Sequence, residues 1–162
     1  MRRLLAKPPA SDARAVDAWL GANPAPRTIA AFAALPGEVD LMDVIARHPE
    51  RRWVFPRVEG DELRFHAPGN PAADLTSGVF GVREPSPALP VVEIAEIDAF
   101  FCPGLAFDAR GGRLGRGKGF YDRMLAAARP DALKIGICSQ AARVDDTFPE
   151  SHDIAMDEVI FC

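Results

Sequence analysis

The stretch from Pro103 to Leu125, PGLAFDARGGRLGRGKGFYDRML, limits what this chain can fold into more than any other part of it. It leaves an apolar run, Ala99 to Cys102, and turns at Pro103-Gly104. Five glycines follow between Gly111 and Gly119, and a helical pattern opens at Phe120. Gly115, Gly117 and Gly119 alternate with Arg116 and Lys118. Alternate glycines allow φ values that side chains forbid, so neighbouring N–H groups can close around an anion. The start of a helix adds unpaired N–H groups and partial positive charge at the same place. From Arg110 to Arg123 five cations (Arg110, Arg113, Arg116, Lys118, Arg123) face one carboxylate, Asp122, so this segment is +4 in a chain of −4 and the remainder is −8. A buried strand that delivers a cationic glycine loop to a helix reads as a phosphate site.

Spacing alone leaves a plainer alternative equally open, a solvated surface loop rich in glycine and arginine. The loop is not a Walker A sequence, because Gly119 and Phe120 follow Lys118 where that loop needs Ser or Thr. It also lacks the spacing and the later acidic residue of a dinucleotide fingerprint.

Pro103 to Asp108 and Gly111 to Asp122 together resemble the signature of the 5-formyltetrahydrofolate cyclo-ligase (methenyltetrahydrofolate synthetase) family. That signature is a strand ending Pro-Gly-apolar-Ala/Gly-Phe-Asp, then Gly-x-Arg-Leu-Gly-x-Gly-x-Gly-Tyr/Phe-Tyr-Asp. Phe120 stands where tyrosine is common, which keeps the ring and drops a hydroxyl. The resemblance runs from about Thr28 to Phe161. Members begin with a longer basic helix whose Lys and Arg contact ATP phosphates, whereas this sequence opens with Arg2, Arg3 and Lys7 and breaks at Pro8-Pro9.

The rest of the chain suits such a domain. Its 162 residues suggest a single domain, 1–162, able to enclose a core. A hydrophobic fraction of 48% and a charged fraction of 26% are ordinary for a soluble globular protein. A pI near 5.4 argues against a general nucleic-acid or membrane-surface binder. No apolar run approaches the ~20 residues that span a bilayer, and the N-terminal apolar stretch is too short for a signal peptide. Cys102, Cys138 and Cys162 are far apart and odd in number, as expected of small hydrophobes in a reducing compartment. These features point to a cytoplasmic protein without nucleic-acid or membrane partners; a monomer or weak homodimer is expected, although nothing in the sequence reveals the oligomeric state.

Periodicity predicts a helix from Ser11 or Asp12, as N-cap, to Ala22, and a buried strand over Thr28 to Leu35. It predicts a second helix over Leu41 to Arg47, ending before Pro49. Arg52 to Val58 and Glu62 to Ala67 alternate around Gly60-Asp61, a hairpin signal. A proline-rich loop (Pro68, Pro71, Pro85, Pro87) precedes the Ala99 to Cys102 strand. Phe120 to Arg129 reads as helix, and Leu133 to Cys138 and Glu158 to Phe161 as strands. Strands alternating with helices give an α/β, three-layer domain: a mostly parallel central sheet flanked by helices, plus a small hairpin. Its site is expected beyond the C-terminal ends of the parallel strands.

Several candidate residues have ordinary readings beside functional ones. Asp122, in a helix first turn, is accounted for by the helix dipole alone, but a carboxylate beside a phosphate cradle also suits Mg²⁺. Pro149 to Asp153 resembles the family's second metal segment, which makes Asp153 the partner of Asp122. Glu38 follows Leu35-Pro36-Gly37 as a loop acid or a cap. The resemblance implies that it contacts the pterin of the folate, and a carboxylate can accept two N–H bonds from such a ring. Arg57 and Glu84 resemble other cleft positions. Phe120 and Tyr121 supply an aromatic wall, while Phe107 is expected in the core. His48 is expected to favour a helix end, and His66 and His152 have no catalytic partner at ligand spacing. Gly-x-Ser-x-Gly is absent and no cysteine has a nearby histidine, which argues against a covalent hydrolase.

The resemblance implies ATP- and Mg²⁺-dependent cyclisation of 5-formyltetrahydrofolate to 5,10-methenyltetrahydrofolate, with release of ADP and phosphate. Lys118 and Arg116 are the implied catalytic residues. Arg113, Leu114, Gly115, Arg116, Gly117, Lys118, Gly119, Phe120 and Tyr121 are the implied ATP contacts. Glu38, Arg57 and Arg116 to Phe120 are implied to bind the folate, and Asp122 and Asp153 the metal. The alternative is a family-like protein that binds nucleotide or phosphate and has lost or changed the folate reaction.

Overall fold

The structure is a computed structural model that describes residues 12–162. Ser11, expected as a helix cap, and the basic Arg2, Arg3 and Lys7 lie outside the described residues. The first helix, α1 (Arg14–Ala22), buries Val16, Trp19 and Leu20. Its N-cap is Ala13, but Asp12 still serves its first turn, accepting the Arg14 N–H at 2.9 Å. A short strand, β1 (Thr28–Ala30), leads to α2 (Met42–Arg47) and then to the hairpin of β2 (Arg52–Glu59) and β3 (Glu62–His66). Glu59 pairs with Glu62, so the turn is the two residues expected, Gly60-Asp61, with Gly60 at φ +60°.

The proline-rich segment is more ordered than its composition implies. It contains α3 (Pro71–Asp74) and a hairpin of β4 (Leu75–Ser77) and β5 (Arg83–Pro85), too short to show a period, then β6 (Val91–Val92). β7 (Ala99–Cys102) runs into a second small hairpin, β8 (Ala106–Phe107) with β9 (Arg113–Leu114), folded from the signature itself. α4 (Phe120–Ala126), β10 (Leu133–Cys138) and β11 (Glu158–Phe161) complete the order. α4 stops short of Arg129, because Pro130 follows and the Arg129 guanidinium leaves to bond Asp98 at 2.9 Å.

The main sheet has seven strands in the order β11-β10-β7-β1-β2-β3-β6. The pairings from β11 to β2 are parallel, and β3 and β6 are added antiparallel. Alternation along β7 divides the core. Phe101 packs with α1 and α2 through Trp19, Val44 and Ile45, and Phe100 packs with α4 through Met124 and Leu125. Trp19 meets Phe101 edge-on at 5.6 Å. All four residues of β7 are buried, as a central parallel strand covered on both faces requires.

The expected long strand ends early. Ala31 still donates to the Val54 carbonyl at 2.8 Å, but the chain then leaves the sheet so that Phe32, Ala33 and Leu35 can line a cleft. That cleft lies where the segments following β1 and β7 meet, at the ends of central parallel strands.

Candidate active site

The cleft encloses about 620 Å³, and every residue from Arg113 to Asp122 lines it. Among the described residues, no N–H from Gly115 through Asp122 donates to another protein group. A backbone run with that many free donors is costly unless water or a ligand accepts from it. Gly117 and Gly119 take φ of +87° and +70°, where a side chain would be strained. Gly115 does not share that conformation; a Cβ there would press on the Arg113 guanidinium at 3.2 Å.

Two arginines build the loop from within. Arg113 is nearly buried, donates to the Pro103 carbonyl at 3.0 Å and lies 5.2 Å over the Tyr121 ring. One of its guanidinium nitrogens is 3.9 Å from Asp122, and its Nε has no partner among the described residues. Arg123 donates to the Lys118 carbonyl at 2.9 Å and to the Asp61 carbonyl, at the hairpin tip, at 2.8 Å. Its guanidinium also sits 5.3 Å from the Phe120 ring centre. The glycine loop is thus fastened at both ends while Arg116 and Lys118 reach into the cleft.

Glu38 faces that pair. One carboxylate oxygen accepts the Leu35 N–H at 2.8 Å, and the other is 3.7 Å from Arg116. Burial raises its pKa above the ordinary glutamate value, with the Leu35 N–H and Arg116 opposing the shift. A buried carboxylate with one oxygen only loosely partnered is an acceptor prepared for N–H donors. Lys118 lies 5.2 Å over the Phe80 ring.

At the other end, Asp122 accepts the Ile154 N–H at 3.2 Å, which places it beside Asp153 in the chain that closes this side. Asp153 caps its own turn by accepting the Glu150 N–H at 2.7 Å. The two carboxylates line the same cleft, and each keeps an oxygen without a backbone donor. Among the described residues no three His, Cys, Asp or Glu side chains gather as a metal site. His152 is exposed at the rim, 3.4 Å from Asp153.

Arg57 is not among the lining residues. Its guanidinium bonds Glu84 and the Pro85 carbonyl, each at 3.3 Å, and Glu84 also accepts the Val58 N–H, so the buried Glu84 carries the contact to the cleft. His48 bonds Asp17 at 2.6 Å and Glu50 at 3.1 Å, and His66 is buried against the Leu89 carbonyl. Phe107 is fully buried, as expected. Burial pushes the Cys102 thiol up to about 12 and that of Cys138 to about 11, which suits inert packing residues.

Three contributors escaped sequence reasoning. Phe80 and Phe148 line the cleft with large exposed rings, and their only sequence cues are a flanking Gly78/Gly81 pair and a following proline. The third is Asp108, whose carboxylate is 1% exposed. It accepts the N–H groups of Arg110, Gly112 and Thr147 at 2.9–3.0 Å and the Thr147 hydroxyl at 2.8 Å. Burial alone pushes this acid upward; the Thr147 hydroxyl and the three N–H groups more than reverse that and hold it at about 2. Asp108 thereby ties the signature turn to the segment that carries Asp153.

Comparisons with known proteins agree with this architecture. The model of the 5-formyltetrahydrofolate cyclo-ligase family matches residues 3–162. The 5-formyltetrahydrofolate cyclo-ligase of Mycolicibacterium smegmatis is 34% identical over 162 residues, covering 92% of this chain and 81% of that protein. The solution structure of Aquifex aeolicus 5,10-methenyltetrahydrofolate synthetase superposes with a TM-score of 0.78 at 31% identity, over 92% of this chain and 77% of the other. The Mycoplasma pneumoniae 5,10-methenyltetrahydrofolate synthetase gives 0.71 at 26% identity, over 91% and 80%. With its signature folded into a hairpin and an open-donor loop at the mouth of one cleft, and with matches spanning nearly its whole length, the chain belongs to the 5-formyltetrahydrofolate cyclo-ligase family.

Proposed function

We propose that this protein is a working cyclo-ligase, closing 5-formyltetrahydrofolate to 5,10-methenyltetrahydrofolate while ATP becomes ADP and phosphate. One observation carries the reading. A run of unpaired N–H groups lies between a buried acceptor, Glu38, on one side and the Asp122 and Asp153 carboxylates on the other, all in a single cleft. That is the order a folate and a nucleotide triphosphate need if the γ-phosphate is to touch the formyl oxygen.

In this reading Glu38 accepts N–H bonds from the pterin edge, with Leu35, Val58 and Leu63 as its apolar surround and Phe80 and Phe120 as walls. The formyl oxygen attacks the γ-phosphorus, giving a phosphorylated imidate and ADP. The amine at position 10 then closes the ring, and phosphate leaves with the former formyl oxygen. Phosphoryl transfer asks the protein for placement and charge neutralisation more than for a nucleophile. Lys118, Arg116 and the loop N–H groups stabilise charge that develops on the transferring phosphoryl oxygens. Arg113, almost buried and with donors to spare, holds the polyphosphate behind them. Asp122 and Asp153 would hold Mg²⁺, whose usual protein ligands are one or two carboxylates completed by substrate phosphates. When bound, the ion supplies neutralisation of the phosphate charge.

The test is incubation with MgATP and 5-formyltetrahydrofolate, following methenyl product and ADP together. Equal formation of both supports the reading. ATP binding without product would leave a nucleotide-binding relative that has lost the folate reaction.

A further inference from the structure

Arg123 does not line the cleft, and neither does Asp61, whose carbonyl it bonds. It is an exposed residue of α4 that reaches back past its own turn to the Lys118 carbonyl. Among the described residues that carbonyl accepts from no other donor. The Nη1 atom that makes this bond packs so closely on Gly119 that a Cβ there would lie 2.7 Å from it. Nη2 goes to the Asp61 carbonyl, and the Phe120 ring faces the guanidinium at 5.3 Å. Two carbonyls and a ring therefore fix the plane of the fork.

The consequence falls on the peptide between Lys118 and Gly119. It is trans, so its carbonyl and its N–H point in opposite directions. With the carbonyl drawn toward Arg123, the Gly119 N–H is turned the other way, and it is one of the unpaired donors of the loop. Little else holds this plane. Reversing it rotates ψ of Lys118 and φ of Gly119, and a glycine takes either sign of φ at similar cost. Gly119 stands at φ +70°. The reversed peptide would offer an oxygen where it now offers an N–H, and an oxygen repels phosphate.

We propose that Arg123 is a positioning residue for phosphoryl transfer: by holding the Lys118 carbonyl it keeps the Gly119 N–H aimed at the bound phosphate. This rests on the reading above, in which the glycine loop holds the triphosphate. Arg123 itself touches no ligand and moves no proton. It removes the reversed plane before the nucleotide arrives, so the donor needs no reorganisation at the moment of reaction.

The experiment compares the full chain as wild type, Arg123→Ala and Arg123→Lys by steady-state kinetics, thermal melting and amide NMR of isotope-labelled protein. Arg123→Ala is expected to lower kcat about tenfold, less than the ~100-fold scale for removing a transition-state donor outright, because the reversed plane can still return. The KM for folate stays at its wild-type value, and Tm stays within about 2 °C, because the side chain removed is exposed. Guanidinium chloride at a low, non-denaturing concentration restores part of the lost kcat in Arg123→Ala. Arg123→Lys recovers little, since one ammonium cannot hold two carbonyls in a fixed plane. Mg-tripolyphosphate moves the Gly119 amide proton downfield in wild type and leaves it near its free position in Arg123→Ala. Wild-type kcat in Arg123→Ala overturns the proposal, and so does a loss that follows a fall in Tm and is not restored by guanidinium. If wild type turns over no formyl folate, the functional reading fails and the Gly119 shift alone decides this proposal. A shift in wild type that is missing from Arg123→Ala supports it, and one equal in both or absent from both overturns it.

Discussion

Replacing Asp108 with asparagine tests how the site is held. The wild-type carboxylate satisfies four donors, two with each oxygen. An asparagine can keep its carbonyl toward the Arg110 and Gly112 N–H groups. Its amide NH₂ then faces the Thr147 N–H donor to donor, the Thr147 hydroxyl has to turn to accept, and the bonds that remain lose their charge assistance. Hydrogen bonds to a charged group contribute about 1.5–3 kcal/mol each, so the loss is about 3–5 kcal/mol. In a domain of this size that lowers Tm by about 10 °C. The pH dependence gives an independent readout. Asp108 is held at about 2, below its ordinary 3.8, so its contribution is complete above the ordinary value and is lost as pH falls toward 2. The stability gap between wild type and Asp108→Asn should therefore shrink by about 2 kcal/mol between pH 5 and pH 2. Urea unfolding followed by circular dichroism at a series of pH values measures both, with Thr147→Val, which removes only the hydroxyl, as an intermediate case. A variant that melts within a degree or two of wild type, or a gap that stays constant into acid, would refute the reasoning.

Three other substitutions probe the chemistry. Lys118→Met should depress kcat by about 100-fold, the scale set by loss of one transition-state donor, and near-native turnover would remove Lys118 from the reaction. Glu38→Gln should raise the KM for folate about tenfold with little change in kcat, as expected when a charge-assisted binding contact is lost. Burial raises the Glu38 pKa, so the stability linked to its protonation is present at low pH and fades as pH rises through the raised folded value. Folate donors require the ionised form, so wild-type KM should climb on the acid side while the Gln variant stays flat. Asp122→Asn or Asp153→Asn should raise the Mg²⁺ needed for half-maximal rate at least tenfold, read from metal titrations of initial rate; an unshifted midpoint would dissociate that residue from the ion.

Most of the frame was legible because its signals are local. The all-buried β7, the two-residue turn at Gly60-Asp61 and the 3.6-residue spacing of Val16, Trp19 and Leu20 each specify an element without reference to the rest of the chain. The glycine loop was legible for the same reason. What stayed hidden depends on partners distant in sequence. Asp108 closes its signature strand, but its hold on Thr147 spans 39 positions. The β4–β5 hairpin has strands of three residues, too few to alternate, and is tied to the neighbouring sheet where Glu84 accepts the Val58 N–H. Arg57 carries the charge expected of a ligand contact, yet Glu84 takes up that charge. Phe80 and Phe148 could not be separated from core phenylalanines by type, since spacing encodes neither their exposure nor their positive φ.

The bond from Arg123 to the Asp61 carbonyl gives a surface turn an unusual status. Loop tips ordinarily accept insertions, because nothing in the interior measures their length. Here the tip of the β2–β3 hairpin is a fixed post, and the guanidinium that grips it also grips the carbonyl of Lys118. Turn length at residues 60–61 therefore belongs to the specification of the glycine loop that carries Lys118, far later in the sequence. Drift in one has to be matched by drift in the other, although they share no strand, no helix and no stretch of sequence.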